Sequence, residues 1–180
     1  TPGWYNCGLF ENLSDIYTPI EGIIGNYTPL LFRTDKFIVP ERGWEKNEDA
    51  FDNTKSITWA VLENTDSKNR VGMCNTHFWP SMIPHVPGDF EKEEQIRVKN
   101  AEQLYNRMEL LKKRYSIPIF AFGDLNCFYD SAPLNMLRER NIDSSIAIAE
   151  KCSEISSLHF DPIRGEDGRY HGTRSNDDKY

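Results

Sequence analysis

The chain alternates between short β-favourable blocks and polar punctuation in its first half, then switches to helical spacing. Tyr27 to Arg33 and Phe37 to Pro40 read as two strands joined by the polar turn Thr34-Asp35-Lys36. Gly43 to Thr54 is charged and reads as a surface connection. Ser56 to Asn64 (SITWAVLEN) and Arg70 to Phe78 (RVGMCNTHF) form the clearest strand pair, with the polar run Thr65 to Asn69 between them at hairpin length. Period-two alternation in the second strand sets Val71, Met73, Asn75 and His77 on one side. His77 stands at that strand's end, where Trp79-Pro80 breaks the ladder.

Between Glu91 and Tyr115 the period becomes helical: Ala101, Leu104, Tyr105, Met108 and Leu111 make one core-facing stripe. Asp89, Glu91, Glu93 and Glu94 crowd the start, and Lys112, Lys113 and Arg114 close the end, both matching the helix dipole. Ile117 to Phe122 is almost wholly apolar, the pattern of a strand buried on both faces. Ser131 to Arg140 reads as a second helix, with Ser131 as N-cap and Pro133 in its first turn. The segment before Tyr27 reads as loop with one helical turn, and Gly165 to Tyr180 as loop. Strand, strand, hairpin, helix, buried strand, helix: the order predicts a layered α/β or α+β domain. At 180 residues the chain is expected to be a single domain over 1–180.

Composition narrows this picture. A formal charge of −7 gives no general support to polyphosphate binding, so nucleic acid is disfavoured as a partner. No stretch approaches the roughly 20 apolar residues that cross a bilayer. Cys7, Cys74, Cys127 and Cys152 are scattered, with no CxxC pair, and read as free thiols. Neither oligomeric state nor compartment is encoded in these patterns.

Three places carry candidate chemistry. The apolar strand runs into Gly123-Asp124-Leu125-Asn126, where glycine permits a tight turn and a carboxylate arrives at a strand's C-terminal end. In an extended chain Asp124 and Asn126 project to one side, a useful pair at a phosphate. The same spacing also suits an Asx-turn, in which both side chains bond local backbone. His77, with Asn75 two residues earlier on its face, makes a polar strand end; a lone histidine also serves as a packed or surface residue. Arg97 lies in line with Ala101, Leu104 and Met108, either facing a site or snorkelling from the helix edge. His171, in Tyr170-His171-Gly172, is retained as a further substrate-binding candidate beside Asn75 and Arg97.

Asn75-Thr76-His77-Phe78, a long helix, and then Ile119-Phe120-Ala121-Phe122-Gly123-Asp124-Leu125-Asn126 together resemble the paired "T-H-L/F" and "G-D-x-N" motifs of the endonuclease/exonuclease/phosphatase superfamily. The likeness spans roughly residues 20 to 140 and includes the early run Tyr27 to Glu41. It implies a four-layer sandwich of two packed, mostly antiparallel sheets flanked by helices, here lacking its N- and C-terminal strands. It implies metal-dependent phosphoester hydrolysis, by a phosphodiesterase or phosphatase, with magnesium or manganese as cofactor; a DNA or RNA nuclease and a non-catalytic binding module are the alternatives. Carried over by motif, His77 would bond the scissile phosphate and Asp124 would activate water and share in metal binding. Asn126 would hold a phosphate oxygen, help position Asp124 and share the metal. The family's upstream metal-binding Glu and closing "S-D-H" have no counterpart here: Glu11 and Glu21 follow no apolar strand, and Asp177-Asp178 precedes Lys179. A truncated domain, weak or inactive by itself, is the expectation.

Overall fold

The computed structural model describes residues 12–20, 28–49, 54–80, 89–128 and 130–143. They fall within two compact units, Thr1–Asn126 and Cys127–Tyr180. The first holds strands β1 (Tyr17–Pro19), β2 (Leu31–Arg33), β3 (Phe37–Lys46), β4 (Ser56–Asn64) and β5 (Arg70–His77), helix α1 (Asp89–Tyr115) and strand β6 (Ile119–Asp124). The second contributes α2 (Ala132–Glu139).

β3, β4 and β5 form an antiparallel meander, and β6 joins β5 in parallel, giving a four-stranded sheet in the order β3-β4-β5-β6. A parallel pair cannot be joined by a tight turn, and α1 provides the crossover. β1 and β2 make a separate antiparallel ribbon. The strand and helix content is α+β, as the hydrophobic pattern predicts.

Register assigns the sheet's two faces. Ile57, Trp59 and Val61 pair with Thr76, Cys74 and Gly72, so these share one side. That side meets α1, because the Arg107 guanidinium lies 4.7 Å above the Trp59 ring while bonding Glu45 through two nitrogens, at 2.9 and 3.0 Å. The stripe Ala101, Leu104, Met108 and Leu111 is buried. On the opposite side Ala60 joins Ile20 and Leu30 in an apolar cluster, flanked by Phe32, Val39 and Leu62.

Several expectations change. The segment before Tyr27, expected as loop with one helical turn, contains strand β1, and of the strand expected over Tyr27 to Arg33 the described residues show only Leu31–Arg33. β3 runs to Lys46, well beyond Pro40, so residues 43–46 are strand and not surface connection. Its charges are not simply solvated: Glu41 accepts from Arg114 and Tyr115, and Glu45 from Arg107, all on α1. The ladder register shifts between Ile38 and Glu41, at Val39-Pro40, where proline has no N–H to offer. β6, expected to be buried on both faces, is the sheet's edge, and Phe120 and Phe122 are 56 % and 42 % exposed. In α2, Ser131 occupies the N-cap position but its hydroxyl makes no capping bond, and Pro133 sits in the first turn as predicted.

Candidate active site

Parallel pairing brings the C-terminal ends of β5 and β6 side by side, and the last register pair is His77 with Asp124. Their side chains therefore leave the sheet on the same side, with His77 Nε2 3.7 Å from Asp124 Oδ2. The imidazole is mostly covered, at 18 % exposure, whereas the carboxylate is 64 % exposed. Two residues far apart in the sequence thus meet through backbone register.

Gly123 makes this approach possible. Its φ is +136°, and a Cβ there would overlap the Thr76 carbonyl oxygen and come within 2.9 Å of Asn75 Oδ1. Only glycine fits where β6 closes on β5 before delivering Asp124.

The turn that follows is held by three bonds. The Asn126 N–H donates to Asp124 Oδ1 at 3.0 Å, Asn126 Nδ2 donates to the Phe78 carbonyl at 3.1 Å, and the Phe78 N–H donates to the Asp124 carbonyl at 2.9 Å. The Asx-turn is present and uses only one of the two carboxylate oxygens. Oδ1 of Asp124 caps the local backbone, while Oδ2 is turned to His77. Asn126, at φ +47°, lies in the left-handed region that Asn tolerates better than most residues.

Two residues that the sequence reading did not single out complete the surroundings. Lys55, buried at 6 % exposure, places its ammonium 2.7 Å from Nε2 and 3.2 Å from Nδ1 of His77. Asn47, also buried, donates through Nδ2 to the His77 carbonyl at 2.9 Å, and its N–H bonds the Lys55 carbonyl at 2.9 Å. The hairpin register held the signal: one step beyond Ile57 paired with Thr76, the start of β4 arrives beside His77. The connection is tied to α1, since Asn100 donates to the Glu48 carbonyl and accepts from the Trp79 N–H.

The other candidates are placed differently. Asn75 shares the His77 face, but its Nδ2 donates to the Pro29 carbonyl at 2.8 Å and so anchors the segment before β2. Arg97 is 2 % exposed; its guanidinium bonds Glu94 at 3.0 and 3.1 Å and lies over the Phe90 ring. These contacts are on its own helix, and they account for the arginine on the apolar face without a ligand. His171, Glu11, Glu21 and Asp177-Asp178 lie outside the described residues. Cys74 is a buried free thiol under α1, pushed up to about 12 by burial, and Cys127 is a partly buried free thiol.

A magnesium ion takes about six oxygen ligands in near-octahedral array. At this strand end the described residues offer one carboxylate, Asp124, and the amide oxygen of Asn126. Among the described residues there is no group of three or more His, Cys, Asp or Glu able to hold a metal. They do not build a complete magnesium site by themselves.

No family model matches the chain, and no curated protein matches it in sequence. Solved structures do match it in fold. An endonuclease/exonuclease/phosphatase from Bacteroides vulgatus aligns with a TM-score of 0.55 at 20 % identity, over 74 % of this chain and 52 % of that one. A protein of the same family from Bacteroides thetaiotaomicron aligns with a TM-score of 0.54 at 18 % identity, over 74 % and 50 %. The human Nocturnin catalytic domain with bound sulfate aligns with a TM-score of 0.50 at 16 % identity, over 61 % and 37 %. The chain spans about half, or less, of the length of each. Its fold is that of endonuclease/exonuclease/phosphatase family proteins, in part.

Proposed function

We propose that this chain supplies the phosphate-binding and water-activating part of a phosphoester hydrolase site. His77 hydrogen-bonds the phosphoryl group and stabilises charge developing on it, and Asp124 orients the attacking water through Oδ2. Asn126 fixes the Asp124 carboxylate through its N–H and offers its second amide hydrogen to a non-bridging oxygen. Phosphoryl transfer asks little covalent work of a protein; positioning and charge stabilisation suffice. The observation that carries this reading is the His77–Asp124 register pair, with 3.7 Å between Nε2 and Oδ2 beside an exposed carboxylate.

Magnesium, with manganese as substitute, is the proposed cofactor. Asp124 and Asn126 would contribute ligands, and the others would come from outside the described residues. The family fold found in the Bacteroides proteins supports this reading. The net charge of −7 favours a small or lipid-like phosphoester over genomic DNA.

The test is hydrolysis of bis-(p-nitrophenyl) phosphate by the full-length protein, with and without magnesium. Turnover that needs the metal and is lost in both His77→Ala and Asp124→Ala is the expected result. Rates that survive both substitutions would remove the proposal. Phosphate binding without turnover in the metal-loaded, full-length protein would make it a binding module.

A further inference from the structure

The site's positive charge has a specific source. An ammonium has donors and no acceptor, so the imidazole nitrogen that meets Lys55 Nζ at 2.7 Å receives the bond. The ring is neutral at that contact, and two cations at such a distance would repel. With Nε2 accepting, the ring's N–H is on Nδ1, through which His77 can orient an anion, while the full charge beside it resides on Lys55.

Lys55 is held in place at both ends. Its carbonyl accepts from the Asn47 N–H, and Asn47 is itself bonded through its side chain to the His77 carbonyl. The next residue, Ser56, is paired in the ladder with Lys46, and its carbonyl accepts from Thr76 Oγ1 at 3.1 Å. The ammonium is thus on the rigid start of a central strand, 6 % exposed, and not on a mobile surface stem. Any oxyanion within hydrogen-bond distance of His77 Nδ1 would be within about 6 Å of Nζ, by adding a usual bond length to the 3.2 Å separation. In a partly desolvated site, a charge at that range strengthens anion binding substantially.

We propose that Lys55 is a further ligand-binding residue of this site, supplying the fixed positive charge that recognises the phosphoryl group beside His77. The inference rests on the phosphate-site reading above. It makes the site selective for anionic phosphoryl groups over neutral esters of the same shape, and it assigns charge to Lys55 and orientation to His77.

The experiment titrates inorganic phosphate into the full 180-residue chain and into Lys55→Met, Lys55→Arg and His77→Ala. Affinity is read by calorimetry, and side-chain resonances of ¹⁵N-lysine and histidine are followed in parallel. Lys55→Met should weaken phosphate binding about 10- to 100-fold, and Lys55→Arg should recover most of it because the charge is retained. In the unsubstituted chain the Lys55 ammonium signal should shift with the same saturation curve as the His77 ring. That reading needs no variant, so it stands even if Lys55→Met does not fold. Wild-type binding with an unmoved Lys55 signal, or equal binding by a folded Lys55→Met, overturns the role of Lys55 and leaves the phosphate site intact. Equal loss in folded Met and Arg variants also overturns it, by making the residue a packing element. Absence of phosphate binding by the wild-type chain ends the underlying site reading and this inference together.

Discussion

The same sheet treats charge in two opposite ways. Along its α1 face, Glu41 and Glu45 are closed off by Arg114, Tyr115 and Arg107, with the Arg107 guanidinium laid over Trp59. At the C-terminal ends of β5 and β6, the Asp124 carboxylate is left 64 % exposed, with 3.7 Å separating it from His77. The first arrangement spends each carboxylate on a partner of the fold. The second keeps one carboxylate oxygen open beside an imidazole and a buried ammonium. The helix-face carboxylates are closed in pairs, whereas the Asp124 carboxylate stays exposed while its turn holds it in position.

This contrast predicts that substitutions at the strand end remove activity without unfolding the chain, and that substitutions on the helix face do the reverse. The largest effect is expected at Asp124 and His77. Replacing either with alanine should lower phosphoester hydrolysis by the full-length protein at least about 100- to 1000-fold, the usual cost of losing one transition-state contact. The urea midpoint should barely move. A large loss of stability in Asp124→Ala would erase the distinction, since an exposed carboxylate would then be a structural pair like the others.

Gly123 lies on the boundary and should show both effects. Gly123→Ala places a methyl group into the Thr76 carbonyl at positive φ, and should destabilise by about 3 kcal/mol, measured by urea denaturation. On the helix face, Arg107→Ala leaves Glu45 without its two bonds and Trp59 without its cation. A loss of roughly 1–3 kcal/mol with phosphate affinity unchanged is expected.

The smallest effect concerns Cys74. Burial raises its thiol from the ordinary 9.0 to about 12, so the folded chain keeps the proton where the unfolded chain loses it. The unfolded state binds fewer protons between those values, and this contribution to stability therefore falls as pH rises from about 9 toward 12. At pH 8, iodoacetamide should label Cys127 in the folded chain and spare Cys74; rapid native labelling of Cys74 would show that the α1 face opens.

The motif-bearing strand ends were readable from sequence because β-period alternation and glycine–carboxylate spacing are local signals. β5 and the long helix were legible for the same reason. Residues 43–46 were not, because the polarity of Glu45 and Lys46 suggests a solvated loop until Arg107 is known to pair with Glu45 across 62 positions. β6 was misread as doubly buried because Ile119, Phe120 and Phe122 are apolar whatever faces them, and sheet order decides exposure. Helical phase alone leaves Arg97 between facing a site and snorkelling, and its bond to Glu94, three residues before it, appears only in the structure. Lys55 and Asn47 have no motif; the β3–β4 and β4–β5 registers bring them beside His77.

The central claim is that His77, Asp124 and Asn126 face one phosphate-sized space. Crystals of the full-length protein soaked with magnesium and inorganic phosphate test it most directly. The account predicts one anion bonded to His77 and Asn126, with Asp124 Oδ2 turned toward it and Lys55 Nζ nearby. An anion bound elsewhere, with the strand end of β5 and β6 holding only solvent at saturating phosphate, would contradict it.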